Sequence, residues 1–465
     1  MRHSSGGKWT LLLLAMSMSC QTYNNKISSY YNHLSTGEFD AAGKELDNNR
    51  FLRLKRNRLL YQMEKGKVAF LRGDYQQSNN CLNAADSLLE SHFNAVLDQG
   101  IGLLLNPAMQ QYRGEDFEKL LIHYYKSLNY LQLRQHEDAV VEARRITLKN
   151  DALNDRKNNN DRKYANDAFA LMLQGMIYES VNNINDAFIS YRNAADIFLK
   201  TTDTAYYGVK MPAQLQQDLL HMAYLNGFGT ELSYYEKQFN TTYTPPKKEE
   251  GGDLILFWEN GLAPVKTENN FFFTLTKNGL GSVGFTNEET NLFIPFDFRL
   301  FPKENAGKLG YMETFRVAFP KYMEQPLYYT NASISANAAP AVPLEKIEDV
   351  NQLAFRTLQE RFIKEMSLAL TRLAIKKLAE HQLKKENETA AQVFDGLAFL
   401  TEKADTRNWQ SLPHAIYYVR IPLKKGRNDI SLQLSNVHGQ TNTVKLQVEG
   451  NGMLQARHYS SLQRG

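Results

Sequence analysis

The sequence predicts an α+β chain of more than one domain: an N-terminal half of paired amphipathic helices, then a β-rich half interrupted by one long and one short helix. Three observations carry this. A helix, short polar turn and helix recur between about residues 24 and 200. The hydrophobic period then changes from helical to alternating beyond residue 253. A chain of 465 residues is also too long for one ordinary core. With 43% hydrophobic and 11% aromatic residues the composition is that of folded domains. Of 54 basic side chains two, Arg2 and Lys8, precede Cys20, and the rest nearly balance the 50 acidic ones, which leaves no electrostatic footprint for nucleic acid.

Residues 1–19 read as an export signal, with Arg2 and Lys8 ahead of an apolar run from Trp9 to Met18 and small residues at its end. The run is too short to span a bilayer, which takes about twenty residues. Its ending, SMSC, resembles the lipobox of bacterial lipoproteins: Ser19 fits, and Ser17 stands where leucine is usual. The resemblance implies lipidation at Cys20 and a membrane anchor. The alternative is an ordinary signal peptide cut near Ser19 that leaves a free thiol. Only QTYNNK separates Cys20 from the first amphipathic pattern near Ile27, so the folded body is expected close to the membrane.

Residues 20–240 form the helical part. Its turns read GEFDAA, GDYQQS, RQHEDA and NNINDA, ending on Ala42, Ser78, Ala139 and Ala187. Leu171, Gly175, Tyr178, Ala187, Tyr191 and Ala194 match the small and aromatic positions of a tetratricopeptide repeat. Gly66, Ser78 and Ala85 repeat part of that pattern, as do Tyr130 and Ala139. Small residues there let two helices approach closely, and aromatics fill the gaps between pairs. A fifth pair is expected at 212–239, and the Asn-rich stretch KNDALNDRKNNNDRKY reads as an exposed loop. The resemblance implies protein partners bound by the repeats.

TTYTPPKKEEGGD, residues 241–253, reads as a linker, and residues 254–465 as the β-rich domain. Strands are expected at 254–259, 270–276, 291–296, 313–319 and 325–335, and again in AIYYVRIPL, NDISLQL and NTVKLQV, with the first and last strands meeting. A long helix is expected over about 347–384 and a short one over 389–401. In the long helix Phe355, Leu358, Phe362, Met366, Ala369 and Leu373 form an apolar stripe opposite Arg356, Arg361, Lys364 and Arg372. That basic face reads as solvated, or else as a contact for anionic lipid or glycan.

Chemistry-bearing motifs are sparse. Cys81, the only other cysteine, reads as a small buried core residue, and no histidine pair has metal-ligand spacing on one helix face. Gly279, Gly281 and Gly284 spell GxGxxG, but strand-like sequence follows where a dinucleotide loop needs a helix N-terminus, so a hairpin is expected. Ser282 lacks the first glycine of a nucleophile elbow. No catalytic residue, metal or cofactor is expected.

WENGLAPVK (258–266) and ADTRNWQSLP (404–413) resemble the ENGLAPxK and DTRxWxxLP segments of an uncharacterised family of bacterial tetratricopeptide-repeat lipoproteins. GEDFEKLLIHYYKSLNYLQL (114–133) is also similar to that family's repeat region. The resemblance implies no established activity; it implies a lipid-anchored envelope protein, in the outer membrane, encoded near other lipoproteins linked to cell-wall synthesis. Read as residues, Asn260, Gly261 and Pro264 are turn formers, and Trp409, Leu412 and Pro413 a hydrophobic clamp where a strand begins. The alternative is a recognition surface that includes Lys266, Arg407 and Trp409. The functional expectation is an anchored scaffold or adaptor in envelope assembly, with no enzymatic activity. Its alternatives are glycan or peptidoglycan binding through β-half aromatics and a hydrolase site near Asp405, Arg407 and His414.

Overall fold

The computed structural model describes residues 23–94, 106–156, 167–246, 249–277, 283–295, 314–386 and 403–463. Cys20, the signal segment and the expected helix at 389–401 lie outside the described residues. No helix among the described residues is long and apolar enough to cross a membrane.

Ten helices form five antiparallel pairs: α1 (Tyr23–Ser35) with α2 (Phe39–Asn48), α3 (Arg58–Leu71) with α4 (Tyr75–Asn94), α5 (Asp116–Gln132) with α6 (His136–Arg156), α7 (Ala168–Ser180) with α8 (Ile184–Lys200), and α9 (Ala213–Leu225) with α10 (Gly229–Phe239). Every pair is joined by three residues, and the middle one is left-handed: Gly37, Gly73, Arg134, Asn182 and Gly227, at φ of 76°, 78°, 59°, 58° and 72°. The amide of the following residue reaches back into the last turn of the first helix, as in Glu38 N–H to His33 C=O (2.8 Å) and Gln135 N–H to Tyr130 C=O (2.8 Å), which closes a Schellman turn. Close packing follows from the small residues. A Cβ on Gly66 would lie 2.8 Å from Leu82, and one on Gly175 would lie 2.5 Å from the Tyr191 ring, so the same pair of positions meets in two repeats. Ala42, Ser78, Ala139 and Ala187 are all fully buried, and Cys81 is a buried free thiol.

Two local expectations change. Tyr23 to Lys26 are the first turn of α1 rather than tether, because Tyr23 is buried in the core. The Asn-rich stretch is helical through Arg156, continuing α6 past the expected loop start, and the rest of it lies outside the described residues.

Strands begin at Asp253 and build three four-stranded sheets. The first has the order β12 (Gln455–Ser460), β1 (Asp253–Asn260), β9 (Ala415–Pro422), β8 (Glu345–Asp349). The second runs β11 (Thr441–Gly450), β10 (Gly426–Ser435), β6 (Asn331–Ala336), β7 (Val342–Pro343). The third runs β4 (Leu292–Pro295), β3 (Val283–Asn287), β2 (Val265–Lys277), β5 (Thr314–Met323). The strand meeting β1 is β12, in parallel, and not NTVKLQV, which is β11 and pairs with β10. Gly284 lies in β3, which pairs antiparallel with β2, while Gly279, Gly281 and Ser282 lie outside the described residues.

Strand β1 explains how the halves join. Its alternate residues Leu254, Leu256 and Trp258 pack with Val419 and Ile421 of β9 against Ile334, Ile430, Leu432 and Leu434 of the second sheet. The other set, Ile255 and Phe257, belongs to the core of the helical half. A strand buried on both faces has no polar side to show, hence the near-continuous run LILFW. The long helix α11 (Val350–Glu386) lies against the third sheet, with the Phe362 ring 4.9 Å from Phe319 and 5.6 Å from Phe271.

Candidate functional site

One region gathers buried charge to an unusual degree: the seam where the first helices of the five pairs meet the first sheet and the strap 403–414. Residues from α1, α3, α5, α7 and α9 all take part. Both signature segments lie inside it. Lys266, Arg407 and Trp409 are 5%, 3% and 0% exposed, so the expected recognition surface is replaced by an internal joint. The reason is physical: each of these side chains satisfies groups that folding has already taken out of water.

Arg407 shows this most fully. Its guanidinium donates to the carbonyls of Pro107 (3.0 Å) and Gln110 (3.0 Å), to Asn57 Oδ1 (2.9 Å) and, through Nε and Nη2, to both oxygens of Asp405 (2.8 and 2.6 Å). A planar fork with five donors suits such divergent acceptors, and a lysine would reach only some of them. The Trp409 ring lies 5.7 Å from Tyr125, and its indole donates to Ser411 Oγ (2.9 Å). The backbone amides of Trp409 and Gln410 donate across the seam to Glu118 (2.8 Å) and Glu64 (3.0 Å). These carboxylates serve the strap much as an N-cap serves a helix.

Three charged clusters cross the seam. Lys67 of α3 is ion-paired with Glu259 of β1 and also donates to the Tyr125 hydroxyl (2.9 Å), with Lys67 and Glu259 each 1% exposed. Lys266 of β2 and Arg361 of α11 both bind Glu115, the residue that opens α5, with the Arg361 contact at 2.6 Å. The basic face of α11 is therefore not simply solvated: Arg361 is spent on Glu115, Arg356 approaches Asp203 at 3.6 Å, and Arg372 is buried. Arg420 of β9 grips both oxygens of Glu179 of α7 (2.7 and 2.6 Å) and lies 3.4 Å from Asp218 of α9. Glu345 of β8 accepts the free amides of Ala213 and Gln214 at the start of α9 (2.7 and 3.0 Å).

Burial and neighbours split the carboxyls into two groups. Burial raises Glu64 to about 7 against the hydrogen bonds that favour its charged form, and it raises Asp218 to about 7 against Arg420. Burial raises Glu118 too, with Glu115 adding to the effect. For Glu115 burial acts in the same direction, but Lys266 and Arg361 overcome it and hold the group at about 2. His458, packed 4.1 Å from the Phe70 ring, is pushed down to about 3 by burial, with Lys67 and Arg457 adding to it.

The expected alternatives fare differently. Asp405 is spent on Arg407, while His414 has other partners, Asn351 (3.0 Å) and Glu324 (3.6 Å), so the three do not form a shared acid and base arrangement. The aromatics that the β half leaves exposed among the described residues, Phe272 on β2 and Tyr328 before β6, belong to different sheets and make no common platform for a sugar. No group of three or more His, Cys, Asp or Glu among the described residues could hold a metal ion. Sequence reasoning missed Lys67, Glu64, Glu115, Glu118, Glu179 and Arg420. Their signal was present as charges set inside apolar runs, such as Glu64 and Lys67 in YQMEKGKVAF.

Neither a family model nor a curated protein matches the chain. Solved structures similar to it cover its helical half. The MamA protein aligns with 48% of this chain and 97% of its own, at 14% identity and a TM-score of 0.28. A putative kinesin light chain variant from Podosopora anserina, with nearly identical TPR-like repeats, aligns with 47% of this chain and 92% of its own, at 13% identity and 0.30. A tetratricopeptide repeat protein from Parabacteroides merdae covers 48% of this chain and 80% of its own, at 12% identity and 0.20.

Proposed function

We propose that the protein is a scaffold or adaptor of the bacterial cell envelope, lipid-anchored in the outer membrane through Cys20, that binds protein partners on its outward helical surface. The observation that carries this reading is which face of the array is free. The first helices of the five pairs pack toward the chain's own sheet and strap, with only Tyr224 and Leu225 at the end of α9 left exposed as large apolar side chains among the described residues of these helices. The second helices α6, α8 and α10 instead leave Val141, Leu148, Ile189, Leu199 and Tyr234 exposed. Apolar side chains spaced along successive outer helices suit a protein surface better than a peptide laid in the inner groove. The anchor rests on the export-signal pattern and the lipobox-like ending, and a role in cell-wall assembly rests on the sequence resemblance alone.

Photo-crosslinkers placed singly at Leu148, Ile189 and Tyr234, and at Tyr328 and Val437 of the β half, test the surface in cells. Adducts from the helical positions are expected. Adducts only from the β half would overturn binding by the helices. For the anchor, fatty-acid labelling is expected for the wild type and absent for Cys20→Ala, and equal labelling would remove it.

A further inference from the structure

The connection between the first two helix pairs carries a charge pattern that the seam does not use. Residues 47–58 read DNNRFLRLKRNR. Arg50, Arg53, Lys55 and Arg58 are exposed, and Leu54 stands among them 46% exposed. The one acid in the stretch, Asp47, is taken by Lys65 (2.6 Å). Among the described residues no carboxylate forms an ion pair with Arg50, Lys55 or Arg58, and Arg53 reaches Asp47 through its backbone carbonyl (3.3 Å) and acts on its carboxyl only from longer range.

The stretch is also fixed beside the start of the folded body. Asn49 donates to the Lys26 carbonyl (2.8 Å), Phe51 packs 6.2 Å from the Tyr23 ring, and Lys26 lies over Phe51 at 4.7 Å. Tyr23 and Asn24 are in turn pinned to the β half, through Tyr23 O–H to Asn408 C=O (3.3 Å) and Asn24 to Lys266 C=O (2.9 Å). The first helical residue is thus held rigidly against the basic stretch. Cys20 and the apolar run Trp9–Met18 lie immediately upstream in sequence, and the three residues from Cys20 to Tyr23 can span at most about 11 Å.

We infer that Arg50, Arg53, Lys55 and Arg58, with Leu54 at their centre, form a docking surface for a bilayer bearing anionic lipid headgroups. Four cations around one exposed leucine match the interfacial pattern in which charge attracts the surface and an apolar tip enters it. The inference rests on the anchored reading for its geometry, since the anchor places this edge at the bilayer. It also goes further, because an anchor alone would leave the body free to swing. A second basic cluster, Lys424, Lys425 and Arg427, is exposed as well, but it joins the other end of β1 beside Gly251. Strand β1 is eight residues long, which puts that cluster roughly 25 Å from the Asn260 end. Of the two clusters, only the one at Tyr23 lies where the chain would meet the membrane.

The test uses the full chain carrying Cys20→Ala, so that acyl chains contribute nothing, and measures co-sedimentation with vesicles. Phosphatidylcholine vesicles are compared with vesicles containing phosphatidylglycerol as well. Binding is expected to the anionic vesicles only, to fall with added salt, and to weaken by more than fivefold, about the loss from one removed charge, for each cation reversed to Glu at positions 50, 53, 55 and 58. Leu54→Ser should weaken it further, while Lys424→Glu with Lys425→Glu should change it less than twofold. Unchanged thermal melting of the variants separates lost docking from lost folding. Equal binding to both vesicle types would overturn the inference, as would equal binding by the fourfold reversal. Retention of an acidic protein in place of vesicles would overturn it too. Fatty-acid labelling at Cys20 is scored separately. Docking that persists without labelling removes the anchor, and labelling without docking removes this inference alone.

Discussion

The Lys67–Glu259 pair offers the sharpest test that the seam is a structural joint. Replacing Lys67 by Met keeps most of the side-chain volume but leaves Glu259, 1% exposed, as a buried carboxylate facing Tyr125 without its cation. Breaking a buried pair from one side costs about 3–5 kcal/mol, because the surviving charge has lost its compensation. Removing both charges with Lys67→Met and Glu259→Leu deletes the desolvation cost along with the attraction, so the double variant should lie within about 1–2 kcal/mol of the wild type. The expected cycle is therefore strongly non-additive, with a coupling of several kcal/mol across residues 192 positions apart in the chain. Urea unfolding of the full chain, followed by far-ultraviolet circular dichroism and by tryptophan fluorescence, measures it. Of the three tryptophans, Trp9 lies in the export-signal segment outside the described residues, while Trp258 and Trp409 are both fully buried, one between the first two sheets and one in the seam, so with Trp9 replaced by Phe the second probe reports the β half and its joint. The two probes should give one coincident transition in the wild type. Additive single costs below about 1 kcal/mol, with helices and tryptophans unfolding separately, would refute the joint.

Stability should rise as the pH falls from about 8 to about 6.5. The folded pKa of Glu64 and Asp218, about 7, lies above the ordinary carboxylate value, so the stability each contributes is present at low pH and lost as the pH rises through 7. Each group is worth about 0.8 kcal/mol over that interval. Below about 6.5 His458, held down to about 3, works the other way, and Glu115 joins it as the pH falls toward 2. A urea midpoint that climbs from pH 6.5 to 8, or is unaltered by Glu64→Gln, would contradict this. Arg134→Gly should stabilise by about 0.5–1 kcal/mol, since Arg134 is exposed and holds φ at 59°, which glycine adopts without strain; loss of stability in a melting curve would argue against the turn geometry. Gly175→Ala sets two effects against each other. Helix propensity favours Ala by about 1 kcal/mol, but the new methyl would sit 2.5 Å from the buried Tyr191 ring, and overpacking costs about 1–3 kcal/mol. Net destabilisation is expected, and a more stable variant would show that the helices are not packed so closely.

Local rules in the sequence were enough to locate the helix pairs. The turns are legible because a left-handed residue, followed in the first four pairs by a small residue at the start of the next helix, is a demand of the backbone itself, met within a few residues. The fifth pair, the long helix and most strands follow from periodicity for the same reason. The short strands β7 and β8 were missed, as was β12, and β3 was read only as strand-like sequence running on into β4. Their pairing is decided by partners far away in the chain: β12 is a strand because β1 lies open beside it in the first sheet.

The signature segments show where sequence reasoning ended. Lys266, Arg407 and Trp409 carry the residue types of a binding surface, and nothing in their neighbours says whether they face water or one another. Trp409 and Leu412, just ahead of β9, are both fully buried, and the Trp409 ring packs on Tyr125. What the tertiary structure alone decided is the counterparts: Glu115 for Lys266, the Pro107 and Gln110 carbonyls for Arg407, Tyr125 for Trp409. Sequence by itself determined two kinds of local order, helical pairs and strands, because each is a short-range balance of backbone bonds and side-chain spacing. Whether the halves stand apart or share a core was decided by tertiary burial, which puts Ile255 and Phe257 of β1 into the core of the helices, and the charges taken out of water with them had to be matched by partners from distant segments, because a buried charge left unpaired is costly.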